Sequence, residues 1–465
     1  MYDWYKMKNK KILIYFLITH IFIWTLVPTI SNTNLPLDTI EVLGWGNELK
    51  LGYDKYPPLF PLFTEFFFKI FGNKDFAFYL LSQLFVASSF LIIFKISNEL
   101  FNDEKLSILS VLLLEGIFFH NYTTPELNAF LCQLPFLSAT ALYFWKSISY
   151  DKNIHWFLLG IFSGLAALTY YLTFYLLAAI SLFFIFEMIK YKRFNSKYLI
   201  GLFSFLIVLS PHLFWIIDNN YSSIEYALFR SFGDPLTGLG GPKVLDHLIY
   251  PLIFLGKQII LIIPLIILIF SITTKLRFNI NYKDKKFLFL FTITILPIIL
   301  MFLTSLLSGI RIRTMWMTTF YLFIGIFSVY LFQLQINFKK IKLFMFVFIF
   351  FFLISPLIYF VDSYTQKDKR TDYPGKKIAN LVQIEWDKNF ENKIEIVAGD
   401  GWVNGGWYAG NLSYHLSSRP KLRKELNVKI NVGLIWIKGF NEIKECKGTF
   451  FQVEPYNDIC MFGNK

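Results

Sequence analysis

Runs of about 18 to 25 apolar residues recur along most of this chain, each long enough to cross roughly 30 Å of hydrocarbon as a helix. Helix is the expected form, because lipid offers backbone N–H and C=O groups no partner outside their own segment. Spans are expected near 11–30, 76–97, 106–121, 126–147, 154–171, 172–189, 198–217, 246–274, 287–307, 314–334 and 342–361. Of the 465 residues, 55% are hydrophobic and 20% aromatic, whereas an average soluble domain is about 45 to 50% apolar. The excess must face something other than water. The first run has basic flanks like a signal peptide, but no small-residue cleavage site follows Ile30, so it is expected to remain as an anchor.

A formal net charge of +13 could suggest nucleic acid. The basic residues instead sit in short loops between apolar runs, which is a topological signal and excludes a nucleic-acid surface. With the N-terminus in the cytoplasm, one side carries Lys6, Lys8, Lys10 and Lys11, then Lys190, Lys192, Arg193 and Lys197. It continues with Lys275, Arg277, Lys283, Lys285 and Lys286, then Lys339, Lys340 and Lys342. Every strong basic cluster falls on that side, which requires an odd number of spans and places the tail after Val361 outside. The expected fold is a polytopic α-helical membrane protein of about eleven spans, residues 1–361, followed by a small extracytoplasmic α/β domain, residues 362–465.

The outward segments then gather the unusual chemistry: residues 31–75, the turn at 122–128, the loop at 218–246, the link at 308–313, and the tail. Residues 37–50 are expected to form an amphipathic helix lying on the membrane, with Leu37, Ile40, Leu43 and Trp45 towards lipid and Asp38, Glu41 and Glu48 elsewhere. Pro57, Pro58 and Pro61 force a turn before the next apolar helix. In the tail, short apolar strands such as 394–398 and 432–437 alternate with Gly-rich turns and one helix near 374–386. Cys446 and Cys460 would close a loop of about 15 residues if oxidised, worth on the order of 3 kcal/mol in the chain-entropy model. Two reduced thiols are the alternative, and an external compartment is what would permit the bond.

The stretch LDTIEVLGWGNELKLGYDKYPPL, residues 37–59, puts four acids and two lysines in an outward loop directly after the first span. It resembles the first-loop motif of the dolichyl-phosphate-mannose protein mannosyltransferase family and its bacterial relatives that modify lipid A or lipopolysaccharide. The resemblance continues through TPELNAFLCQLPF from Thr124, GLAALTYY from Gly164, SPHLFW from Ser210, RTMWMTTF from Arg313 and AGDGW from Ala398. It implies a GT-C fold and sugar transfer from a polyprenyl phosphate, undecaprenyl phosphate in a bacterium. It also implies an essential acid at Asp38. The family's usual Glu after that acid is Thr39 here, with Glu41 nearby instead. Asp54, Lys55 and Tyr56 before Pro57 fit the family's later acid or aromatic, base, proline pattern. The family's Lys after Leu-Thr is replaced by Tyr170.

Moving a sugar from a lipid monophosphate to a hydroxyl requires a base for the acceptor proton, and a carboxylate beside the membrane suits that role. Asp38 is the candidate. Cations that grip the leaving phosphate more tightly in the transition state speed the reaction, and Lys55, Arg230, Arg311 and Arg313 lie on the expected side. Arg can hold phosphate through two bonds. Glu41, Asp54, Tyr56, Glu126, Asn128 and His212 complete the candidate substrate contacts. Each has a plain rival role: solvated charge, interface anchor, helix start for Glu126 and Asn128, packing for His212. One carboxylate acting once implies inversion at the anomeric carbon. A donor with one phosphate does not demand a divalent metal, though Asp38 or Asp54 could bind one. No His and Cys cluster has zinc spacing.

The expected partners are the polyprenyl-phosphate sugar, a lipid, glycan or protein acceptor, and membrane lipid, at the outer face of a bacterial inner membrane. A transporter or lipid flippase would also need many spans, but it would place ionisable groups near midplane and often shows repeated halves. Here the acids cluster in the first outward loop. A non-catalytic envelope scaffold is the third class, and it predicts that replacing Asp38 changes nothing.

Overall fold

The structure, a computed structural model, describes the chain apart from residues 1, 233–242, 276, 278–279, 400–405, 424–432, 438–445, 447, 454–456 and 465. Helix α1 (Tyr2–Ser31) leads through α2 (Leu37–Gly46) and α3 (Leu59–Phe71) to the long α4 (Asp75–Phe101). Then follow α5 (Glu104–Leu112), α6 (Ala129–Tyr150), α7 (Asn153–Ala167), α8 (Thr173–Tyr191), α9 (Lys197–Asp218) and α10 (Ser222–Phe232). The bundle closes with α11 (Asp246–Leu261), α12 (Ile263–Ile272), α13 (Lys285–Thr294), α14 (Leu296–Ser308), α15 (Ile324–Phe332) and α16 (Ile341–Thr365).

All eleven expected spans are helical in whole or in part. Among the described residues, seven are long and apolar enough to cross a membrane, and α13 with α14 makes an eighth if that pair, bent by 41°, is one span. The bend falls where Pro297 opens α14, since proline cannot donate the bond that would continue the helix. The expected span at 106–121 instead breaks after α5 into short 3-10 turns at Leu113–Gly116 and Phe118–His120. Helix α6 is 22 residues long, but its Gln133, Ser138 and Thr140 lower its apolarity and are buried inside the protein. Helix α7 has 15 residues and meets α9 at backbone distance. A Cβ on Gly160 would stand 1.9 Å from Ser204 Oγ and 2.2 Å from Gly201 O, so small residues set that approach.

The bundle's two ends differ in chemistry. At one, lysines cap the last turns of neighbouring helices: Lys285 donates to Ile148 O, Lys286 to Leu100 O and Lys340 to Thr273 O, while Lys197 pairs with Asp151 at 2.8 Å. Helix C-termini leave carbonyls unpaired and carry partial negative charge, which these ammonium groups offset. The other end carries α2, α3, the turn at 121–128, α10 and the C-terminal α/β region.

That region starts with α17 (Gly375–Asn389) and β1 (Ile396–Gly399), continues through α18 (Gly406–His415), β2 (Lys421–Arg423) and β3 (Leu434–Ile437), and ends with β4 (Thr449–Val453) and β5 (Asn457–Phe462). The sheet order is β2-β1-β3-β5-β4, with β1 parallel to β2 and β3, and β5 antiparallel to β3 and β4. A disulfide joins Cys446 to Cys460 and ties β5 to the segment before β4.

Two of the four α2 residues expected to face lipid are covered by protein instead. Ile40 and Leu43, expected to face lipid, are fully buried in a core shared with Phe78 of α4 and with Leu412 and Leu422 of the C-terminal region. The pattern was amphipathic because α2 has one apolar face, but protein covers it. Glu48 beyond its end makes two 2.6 Å bonds with Arg423, and that guanidinium holds its carboxyl down to about 2. Of the AGDGW stretch, residues 400–402 lie outside the described residues, as do 233–242 of the loop at 218–246.

Candidate active site

Pro36 precedes α2 in an extended conformation and Asp38 falls in its first turn, where an acid is favoured by the helix dipole. Helical spacing puts Asp38, Glu41 and Trp45 on one stripe and Ile40 with Gly44 on another. After α2 the chain turns back, with Tyr53 donating from its hydroxyl to Glu48 O at 2.7 Å. This brings Lys55 over the acidic stripe. Its Nζ donates to Asp38 Oδ1 at 2.9 Å and to Glu41 Oε2 at 2.6 Å. The exposure of these side chains is 13% for Lys55, 18% for Asp38 and 6% for Glu41. Burial pulls the Lys55 ammonium towards neutrality, but Tyr56, Asp38 and Glu41 more than reverse this and hold it protonated, well above its ordinary range. One cation shared by two carboxylates leaves a net negative charge in the group.

Asp38, Lys55 and Tyr56 open into a cleft of about 250 Å³. Phe130, Tyr170, Tyr171 and Tyr175 form an aromatic wall where α6 meets the break between α7 and α8. Tyr226 and Arg230 come from α10, one helical turn apart, and Ile312, Arg313 and Trp316 close the far side. Burial and then the neighbouring Arg230 lower the Arg313 guanidinium's proton affinity. Two guanidiniums near enough to oppose each other's charge favour an anion between them.

Five sequence candidates therefore line one cleft: Asp38, Lys55, Tyr56, Arg230 and Arg313. Glu41 acts through Lys55. Glu126 stands outside the lining, open to solvent on one side yet crowded on the others. Burial first, and then the negative charge of Asp38, raise its carboxyl to about 7. Asp54, Asn128, His212 and Arg311 are not in the lining. Asn128 caps α6, its Oδ1 accepting from the N–H groups of Phe130 and Leu131 at 3.1 and 3.2 Å. His212 stands behind the wall. Its Nδ1 lies 2.8 Å from Leu51 O and its Nε2 lies 2.9 Å from the Tyr171 hydroxyl. Sequence reasoning missed Tyr171, Tyr175, Tyr226 and Trp316 as lining residues. The signals were there in the doubled tyrosine at 170–171 and the i, i+4 pairing of Tyr226 with Arg230.

No group of three His, Cys, Asp or Glu residues among those described gathers as a metal-ligand set. The acids nearest the cleft are instead tied to a lysine.

Fold and cleft together define a multi-pass helical membrane protein with an acid- and arginine-lined site at the end of the bundle that carries its α/β region. Within that class, residues 55–215 match the family described as dolichyl-phosphate-mannose-protein mannosyltransferase. The matched stretch is about a third of the chain, and the family is the one that the first-loop motif resembles. No curated protein sequence matches the chain. Among solved structures, ArnT from Cupriavidus metallidurans in the apo state is similar at 10% identity and a TM-score of 0.47, covering 96% of this chain and 98% of that one. The Archaeoglobus fulgidus oligosaccharyltransferase in its apo form is similar at 11% identity and a TM-score of 0.41, covering 90% and 65%.

Proposed function

We propose that this protein moves one sugar from a polyprenyl phosphate onto a hydroxyl of an envelope acceptor, at the outer face of the cell membrane. The N-terminus would lie in the cytoplasm, with residues 1–361 as the catalytic membrane domain and 362–465 as an external domain. The disulfide between Cys446 and Cys460 agrees with an oxidising compartment on that side. In a bacterium the donor is an undecaprenyl-phosphate hexose or pentose. The acceptor is a lipid A or lipopolysaccharide sugar, another envelope glycan, or a protein.

The observation that carries this reading is the Asp38–Lys55–Glu41 group opening into the same cleft as Arg230 and Arg313. An acceptor hydroxyl attacks the anomeric carbon while its proton passes to an Asp38 oxygen. The bond from that carbon to the phosphate oxygen breaks, and the pair of electrons stays on the phosphate. Lys55, Arg230 and Arg313 stabilise the charge that gathers there. A single displacement inverts the anomeric centre. The tyrosine-rich wall offers the sugar a flat face and hydroxyl partners.

The test is transfer of labelled sugar from a panel of undecaprenyl-phosphate sugars to envelope fractions, with purified wild type and Asp38→Asn in the same detergent. Transfer by wild type, lost in a folded variant, is expected. Equal transfer by both rejects Asp38 as the base, and a product of retained configuration rejects the single displacement.

One observation favours a transporter or flippase instead. Glu115 is buried within an expected span, 3.5 Å from an equally buried His20. Movement of the lipid across vesicles without sugar transfer would support that reading.

A further inference from the structure

The C-terminal region does more than stand beside the cleft. Helix α18 and strand β2 pack directly on α2: a Cβ on Gly410 would meet Ile40 Cγ2 at 3.0 Å, and one on Gly44 would meet Leu422 Cδ2 at 2.6 Å. Just after α18, Arg419 sends its guanidinium into the seam. It donates to Leu43 O at 2.6 Å, pairs with Glu65 of α3 at 3.3 Å, and lies 4.0 Å from the centre of the Phe68 ring. Leu43 belongs to the last turn of α2, whose carbonyls have no partner within the helix and attract a cation. The backbone carbonyl of Arg419 accepts from Asn47 Nδ2 at 2.8 Å, a second tie to the same helix end. Arg419 itself has φ of 50°, a conformation that costs a non-glycine residue free energy and persists where surrounding contacts fix it. A glycine would relieve the backbone but would lose these side-chain contacts and those that Nη1 makes to Ser413 O at 3.0 Å and Ser413 Oγ at 3.3 Å.

We infer that Arg419 is a positioning residue, locking α2 against α3 so that Asp38 and Glu41 stay in register with Lys55. It touches no cleft atom. Its effect reaches the site through one helix, with Leu43 at one end and Asp38 at the other. The catalytic part of this inference rests on the proposed sugar transfer; the geometric part does not.

The experiment uses the full chain in detergent and reads two quantities. The first is the rate at which a water-soluble acylating reagent labels the Lys55 amine, normalised to the exposed Lys152 by peptide mass spectrometry. The second is kcat and donor KM for sugar transfer. Arg419→Gln is expected to raise Lys55 labelling by about fivefold or more. It is expected to lower kcat by about tenfold to a hundredfold, as small displacements of a catalytic group do, while donor KM stays within about twofold. Arg419→Lys, which keeps the cation, falls between. Unchanged Lys55 labelling overturns the inference, and so does raised labelling with unchanged kcat, or a change confined to KM. If wild type transfers no sugar, the proposed function fails while the labelling ratio still decides whether Arg419 sets this geometry. Should Arg419→Gln fail to fold, Gly410→Ala presses on Ile40 without removing a charge and is read by the same two measures.

Discussion

The two ends of the bundle use cations in opposite ways. At the lysine-capped end, each ammonium serves one helix terminus: Lys286 on Leu100 O, Lys285 on Ile148 O, Lys340 on Thr273 O. At the cleft end they converge, with Lys55 shared by two acids and Arg230 and Arg313 facing one small volume. Dispersed caps are separable increments of stability. Converging charges can be shared with a ligand, and that is the end at which the proposed transfer is placed.

The largest effect separating the ends is expected at Asp38. Asp38→Asn keeps the shape but removes the base, and transfer should fall by about 10²- to 10⁴-fold in the labelled-donor assay. Lys55→Ala leaves the buried Glu41 and half-buried Asp38 carboxylates without their cation and should lower stability by about 3 kcal/mol, measured by thermal unfolding in detergent. Next comes Arg313→Gln, which should weaken the donor by about tenfold, read as a rise in KM for the polyprenyl-phosphate sugar.

The fourth measurement is a pH profile. Glu126 is neutral below about 7 and ionised above it. Raising pH through that value therefore adds a negative charge beside Asp38 and should raise donor KM. Glu126→Gln should flatten that limb, and an unchanged limb would assign it elsewhere. The smallest effect belongs to the other end. Lys286→Ala removes a single cap, so a loss of about 0.5 to 1 kcal/mol is expected with transfer within twofold of wild type. A larger loss of transfer there would break the contrast between the ends.

Much of this was legible in the sequence. The apolar runs located the helices, and the lysine clusters marked the end they share. The 37–59 stretch brought Asp38, Lys55 and Tyr56 together, since two proline-bounded segments separated by a short turn can only fold back on each other. What escaped depended on cover rather than on pattern. An apolar stripe on α2 reads the same whether lipid or α18 lies against it, and only the structure shows Ile40 under Gly410. Helices α3 and α10 were hidden in stretches read as loops, so the lining role of Tyr226 was not visible. His212 had the right type and the right end of the bundle, but a hydroxyl's length separates it from the cleft through Tyr171.

The bond from Arg419 to Leu43 joins positions 376 residues apart. Among the described residues, every one that lines the cleft lies at or before Trp316. A nascent chain therefore carries all the described cleft side chains long before it carries the group that seats α2. Contacts of such long sequence separation form late because their loop-closure entropy must first be met. The cleft is thus assembled in an order opposite to its synthesis: the acid made first is fixed last, and a product ending before residue 419 would hold the described cleft residues without the contact that seats α2.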